Sequence, residues 1–208
     1  MANPWEPEIE ITHRLARDCM RFELACLTRL PHRLPLAVPE PAFLGAPRAD
    51  YPFPFSGYRK LEGRTACGAS LDDDTRAASA AKLGEFLRAL HDLEVTHELA
   101  EAMPVDLIRR ADLYARHLLV DDSGRVCGVI DWGDAHLGDP ALDLSIQFAF
   151  LPPEARPAFE AAYGELDADT RRRARFRALF SGTMLVHYGA SSGDEALVEA
   201  GRWALERA

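Results

Sequence analysis

DLYARHLLVDDSGRVCGVIDWGDAHLGDPALDL, residues 112–144, contains two β-rich runs, His117 to Asp121 and Arg125 to Asp131, separated by Asp122-Ser123-Gly124. Glycine takes positive φ without a steric penalty, so this tripeptide predicts a tight turn and the two runs pair as an antiparallel hairpin. The open end of that hairpin brings His117, just before the first strand, and Asp112, five residues earlier, close to Asp131 at the end of the second strand. Two carboxylates at one place suit chemistry on a metal-bound phosphate. Beyond Asp131 a glycine-containing loop leads to Asp139-Pro140, a helix start with Asp139 as N-cap and Pro140 at the first helical position.

The rest of the chain sets bounds on that site. Its 208 residues are 48% hydrophobic and 27% charged, enough for one sizeable core with at most a small appendage. A net charge of -9 leaves no basic face for phosphate neutralisation, which argues against nucleic acid as a partner. The N-terminal MANPWEPEIE has neither a basic start nor an apolar h-region, and no run reaches the ~20 apolar residues of a membrane span. Cys19, Cys26, Cys67 and Cys127 form no CxxC pair and no Cys/His spacing suited to zinc, so they read as reduced thiols and the chain as cytoplasmic.

Apolar positions from Ile9 to Leu30 recur at helical spacing and predict an amphipathic helix ended by Pro31. The proline-rich segment after it favours extended geometry, with two short strands at Ala42–Leu44 and Ser56–Leu61. Residues 63–74 read as a polar turn. Asp72, Asp73 and Asp74 then open a helix running from about Thr75 to His91, with Leu83, Phe86, Leu87 and Leu90 inward and Lys82, Glu85 and Arg88 outward. After the hairpin, apolar periodicity predicts helical segments at about 140–151, 153–163, 168–190 and 194–207. The arginine run Arg171 to Arg173 reads as a solvated helix face.

The ordered set D-L-x-x-x-H, hairpin, I-D-W-G-D, G-D-P-x-x-D-L resembles the catalytic core of the aminoglycoside phosphotransferase family, small-molecule relatives of the protein kinases. In that pattern Asp112 takes the place of the catalytic aspartate, His117 that of the metal-binding asparagine five residues on, and Asp131 that of the second metal-binding aspartate. Met20 to Pro41 resembles the αC helix and linker with Glu23 as its glutamate, Tyr58 to Gly63 the hinge, and Phe86 to His91 the first long helix of the larger lobe. The resemblance implies an α+β, protein-kinase-like fold: a reduced N-terminal lobe at 1–62, and a mostly helical C-terminal lobe at 63–208 carrying the catalytic hairpin. It implies transfer of the γ-phosphate of ATP or GTP, with Mg2+ as cofactor, to the hydroxyl of a small-molecule substrate. Asp112 would be the base, Asp131 and His117 the metal ligands, and Asp139 and Asp143 structural supports. The acidic surface favours a cationic acceptor.

The family's glycine-rich cover and phosphate-binding lysine have no counterpart ahead of Glu23. Lys60 sits in the hinge-like strand, Lys82 on an outward helix position, and only about twenty residues part His91 from Asp112. The chain therefore reads as shortened in two places, and Glu23, without a lysine partner, as a solvated helix residue. The alternative function is that of a catalytically impaired kinase-like protein, a truncated pseudoenzyme or binding module that could complete its open edge by self-association.

Overall fold

The computed structural model describes residues 20, 23–24, 26–30, 32–93, 113–133, 135 and 138–208. Asp112, most of the helix expected at 9–30, and Asp134 lie outside the described residues. The strands are β1 (Pro41–Gly45), β2 (Phe55–Tyr58), β3 (Arg64–Thr65), β4 (Leu118–Val120) and β5 (Val126–Val129). The helices are α1 (Asp73–Ala77), α2 (Ala80–His91), α3 (Ala141–Leu144), α4 (Ile146–Ala149), α5 (Arg156–Tyr163), α6 (Ala168–Ser192) and α7 (Glu195–Arg207).

The two short strands expected in the proline-rich segment form as β1 and β2 and pair antiparallel, with Leu44 opposite Ser56. β4 and β5 form the central hairpin, with Leu118 opposite Val129. Gly124 turns it at φ 78°, and the Asp121 carboxylate accepts hydrogen bonds from the Ser123 and Arg125 amides at 2.9 and 3.0 Å. Segment 63–74 departs from the expected polar turn, because Arg64–Thr65 adds a third strand along β4 and Ala66–Gly68 makes a turn of 3-10 helix. Two residues are too few to show a period of two, so pairing with β4 decides the conformation. On the far edge Ala37 bridges β5: its N–H donates to the Cys127 carbonyl at 3.1 Å, and its carbonyl accepts from Val129 at 2.8 Å.

The hairpin lies against the helices. Ser79, 1% exposed, precedes α2 and accepts the Val126 amide on its Oγ at 3.0 Å, satisfying a buried donor 47 positions away in sequence. Leu83, Phe86 and Leu87 form the buried stripe of α2, as the periodicity predicts. The aspartate run also behaves as expected, since Asp72 accepts the Thr75 amide at 2.8 Å with Asp73 and Asp74 in the first turn. The helix divides in two at Ala78–Ser79 instead of running unbroken.

The C-terminal helices are latched by arginine. Arg76 lies between the rings of Phe150 and Trp203, at 4.9 and 4.3 Å, and burial pulls its guanidinium down to about 10. Arg207 packs over the same Trp203 ring at 4.7 Å and pairs with Asp73 at 3.3 Å, joining α7 to α1. The helices α6 and α7 approach closely through glycine, since a Cβ on Gly201 would stand 2.7 Å from the Gly182 carbonyl. Gly201→Ala should gain about 1 kcal/mol from helix propensity alone. Against that, the overpacked contact should cost about 1–3 kcal/mol, so the net change is predicted to be destabilising or null in urea unfolding. A clear gain in stability would contradict this packing.

Candidate active site

Hairpin geometry builds the site. The Ile130 amide donates to the His117 carbonyl at 2.9 Å, carrying the β4–β5 ladder one pair past the strand ends. The next residue, Asp131, turns out of the sheet with φ 65°, a left-handed conformation that aspartate tolerates better than most residues. Two anchors hold it there. Trp132, 8% exposed, donates its indole N–H to the Val129 carbonyl at 3.1 Å and meets Phe86 edge-on at 6.4 Å. His117, buried under the ring of Tyr114 at 4.2 Å between centroids, sets its Nε2 3.2 Å from Asp131 Oδ2.

The consequence is a carboxylate that stays ionised while it faces solvent. Contact with His117 holds the Asp131 carboxyl below the ordinary aspartate value; burial opposes this, and the Arg116 charge and the Gly133 amide assist it. Its side chain remains 61% exposed against 9% for His117, so the pair presents a carboxylate outward and a buried imidazole behind. Both line a cleft of about 450 Å³ with Thr65, Tyr114, Arg116 and Tyr188. That volume lies in the range of small-molecule sites.

Two further residues converge on Asp131 that the sequence pattern does not assign to the site. Glu23 is half-buried instead of solvated, and burial followed by the Asp131 charge pushes its carboxyl up. Tyr58 at the end of β2 is raised by burial and then by the charges of Glu23 and Asp131. The resemblance of Glu23 to the αC glutamate was the signal that pointed to this place. For Tyr58 the hinge-like position was the only one.

Asp139 accepts the Ala141 amide at 3.0 Å, so it caps the helix start as expected, two residues ahead of α3. It also takes a bidentate pair from Arg173 at 2.7 and 3.4 Å. The arginine run is thus not simply solvated: Arg173 reaches Asp139 and Arg171 pairs with Glu160 at 2.6 Å. Asp143 meets His91 at 3.2 Å, and the other His91 ring nitrogen lies 3.0 Å from the Tyr163 hydroxyl. Its described partner is therefore the end of α2.

Among the described residues no group of three or more histidine, cysteine or carboxylate side chains could hold a metal. Asp131 and His117 are a two-donor set. Magnesium is ordinarily held by one or two carboxylates, with water and phosphate oxygens completing the shell, so an ionised, outward carboxylate fits it. The imidazole nitrogen is a softer donor and is already engaged with Asp131.

This hairpin, set against a helical lobe, is the architecture of the kinase-like phosphotransferases. The fold matches the GDP and kanamycin complex of APH(2'')-IIIa at a TM-score of 0.64 and 20% identity, covering 91% of this chain and 81% of that one. It matches the GDP complex of aminoglycoside 2'-phosphotransferase-IIIa at 0.65 and 20%, over 93% and 82% of the two chains. It matches macrolide 2'-phosphotransferase MphH from Brachybacterium faecium at 0.62 and 19%, over 93% and 81%. A 32-residue stretch is 50% identical to the uncharacterized protein YcbJ of Bacillus subtilis, spanning 15% of this chain and 10% of that protein. Residues 10–110 and 111–177 match the phosphotransferase enzyme family, and the chain belongs to that family.

The Asp131 carboxylate gives a signed pH dependence. Its folded value lies below the ordinary 3.8, so its stabilising contribution is complete above that value and is lost as pH falls through the lower folded one. The stability difference between the native protein and Asp131→Asn should therefore shrink below about pH 4. Carboxyl NMR should place the Asp131 midpoint below that of an exposed aspartate. A midpoint at or above it would contradict the pairing with His117.

Proposed function

We propose that the protein transfers the γ-phosphoryl group of ATP or GTP to a hydroxyl of a small molecule. The observation that carries this reading is the ionised, outward Asp131 held beside His117 at the mouth of the hairpin, on a cleft of small-molecule size. Family membership supports it, as do neighbours of the same fold in complex with GDP and kanamycin. Asp131 is the main residue that would hold Mg2+, with His117 at the second position. When bound, that ion neutralises phosphate charge and aligns the nucleotide. His117 fixes the carboxylate rotamer, and the left-handed backbone at Asp131 aims it into the cleft. Asp112 stands where the family's sequence pattern carries the base, and there it orients the acceptor hydroxyl and takes its proton. Asp139 and Asp143 brace the segment behind the site.

One observation favours the second reading, a kinase-like protein impaired in catalysis. Lys60 is exposed, Lys82 pairs with Glu85 at 3.4 Å on the outer face of α2, and these are the chain's lysines. A thermal-shift titration with Mg·ATP and Mg·GTP bears on both readings. The enzyme reading predicts saturable stabilisation by at least one nucleotide, about 2.7 kcal/mol at a hundredfold excess over Kd, lost in Asp131→Ala. Stabilisation without release or transfer of the γ-phosphate in 31P NMR would favour the impaired form. No stabilisation by either nucleotide, with Asp131→Ala behaving like the native protein, would sink the enzyme reading and leave the second.

His117 supplies a separate test. An imidazole nitrogen favours Mn2+ over Mg2+ more than an amide oxygen does. If His117 ligates, His117→Asn should lower the ratio of Mn2+ to Mg2+ affinity measured with bound nucleotide; an unchanged ratio would leave His117 as the positioning partner of Asp131 alone.

A further inference from the structure

A nucleoside triphosphate brings several negative charges to a place where carboxylates already gather. Asp131 is ionised at the hairpin mouth, and Glu23 and Tyr58 converge on it. A magnesium ion at Asp131 offsets only part of that charge, so a phosphate site of this kind also calls for a cationic side chain. Neither lysine is placed to be one: Lys60 is exposed beyond β2, and Lys82 pairs with Glu85 at 3.4 Å on the outer face of α2.

The hairpin itself supplies a cation. Arg116 immediately precedes His117 and lines the same cleft as His117 and Asp131. His117 is buried behind the carboxylate, whereas the Arg116 side chain is 48% exposed. Its charge reaches Asp131 and helps to keep that carboxyl ionised. Among the described residues its ion-pair partner is Asp194, whose Oδ2 stands 3.6 Å from Nη1, outside hydrogen-bonding distance. Asp194 has another task, since its Oδ1 accepts the Leu197 amide at 3.2 Å and caps α7. The pair therefore orients the guanidinium by charge rather than by a hydrogen bond. A partly exposed pair of this kind is weak, and a phosphate group, which accepts two parallel N–H bonds from the planar guanidinium, competes well against it.

We propose that Arg116 leaves Asp194 to bind the γ-phosphoryl group of the nucleotide, and so provides at the hairpin mouth the cation that the lysines do not. The proposal rests on the phosphoryl-transfer reading and adds a phosphate-binding residue to it. The terminal phosphate carries the most charge and the most unshared oxygens, so it is the group for which a guanidinium fork competes best. In the transfer a bond forms from the acceptor oxygen to the γ-phosphorus, and the bond from that phosphorus to the β–γ bridging oxygen breaks. The electron pair of the broken bond leaves with the diphosphate, and the acceptor proton goes to Asp112. Arg116 exchanges neither bond nor proton; it holds the charge of the γ-phosphoryl oxygens beside the cation at Asp131.

Isothermal titration calorimetry of the full chain tests this, with Mg·AMP-PNP against Mg·ADP and Mg·GMP-PNP against Mg·GDP. The variants are Arg116→Gln, Arg116→Lys and Asp194→Asn, each verified as folded by near-UV circular dichroism. The native protein should bind the triphosphate analogue of its preferred base more tightly than the diphosphate. Arg116→Gln should lower that preference at least about tenfold, and Arg116→Lys, which keeps the charge without the planar fork, should restore part of it. Asp194→Asn should raise the preference about two- to fivefold, because asparagine still caps α7 while the competing charge is gone. A merely structural role of the ion pair predicts the opposite sign there. A preference unchanged in Arg116→Gln, an equal loss of diphosphate and triphosphate affinity, or a fall in Asp194→Asn would each overturn the assignment of Arg116 while leaving phosphoryl transfer standing. No binding of any of the four nucleotides would overturn it together with the phosphoryl-transfer reading.

Discussion

The hydrogen bond from the Ile130 amide to the His117 carbonyl, 2.9 Å long, is the constraint on which the site depends. It extends the β4–β5 ladder to the pair that immediately precedes Asp131, so a carboxylate and an imidazole 14 positions apart share one mouth of one hairpin. The hairpin is in turn held from several sides. Thr65 and Arg64 pair with β4, Ala37 bridges β5, and Ser79 satisfies the Val126 amide. With the register fixed on both edges, a one-residue slip would exchange Leu118 and Val120 with Leu119 and break the packing on both buried faces of β4. Rigidity at this point gives chemistry at the next residue: Asp131 keeps a left-handed backbone because Trp132 is locked in the core behind it.

Electrostatics in the site follow from that placement. His117 is buried and Asp131 exposed, so their contact holds the carboxylate charged without withdrawing it from the cleft. Glu23 and Tyr58 bring a second carboxyl and a phenol toward the same charge, and each is pushed toward its neutral form. A divalent cation at Asp131 would relieve this crowding of like charge, a physical reason for the carboxylates to gather here.

Much of this was legible in the sequence because its signals are local. The Asp122-Ser123-Gly124 turn, the alternating runs on either side, the aspartates ahead of α1 and the apolar stripe of α2 each declare themselves within one or two turns of chain. The ordered pattern from Asp112 to Leu144 supplied the resemblance to the family. The misses are tertiary. Two residues of β3 carry no period, and the Ser79 hydroxyl finds its donor 47 positions away. Glu23 read as solvated because its expected lysine was missing, although burial first and the Asp131 charge second set its environment. The outward apolar side chains of α6, Phe176, Phe180, Met184 and Tyr188, were hidden for a related reason. Apolar residues lie on both faces of that helix, so periodicity reports a helix without telling which face packs, and the small residues against α7 are what settle it.

The central claim is that the hairpin delivers Asp131 as an ionised ligand to a nucleotide-bound cation. It is tested most directly by electron paramagnetic resonance of Mn2+ bound with a non-hydrolysable GTP or ATP analogue, in protein carrying 13C-carboxylate aspartate. The account predicts a Mn2+–13C coupling of directly ligated strength that disappears in Asp131→Asn. A coupling that survives this substitution, or none in the native protein, would contradict it.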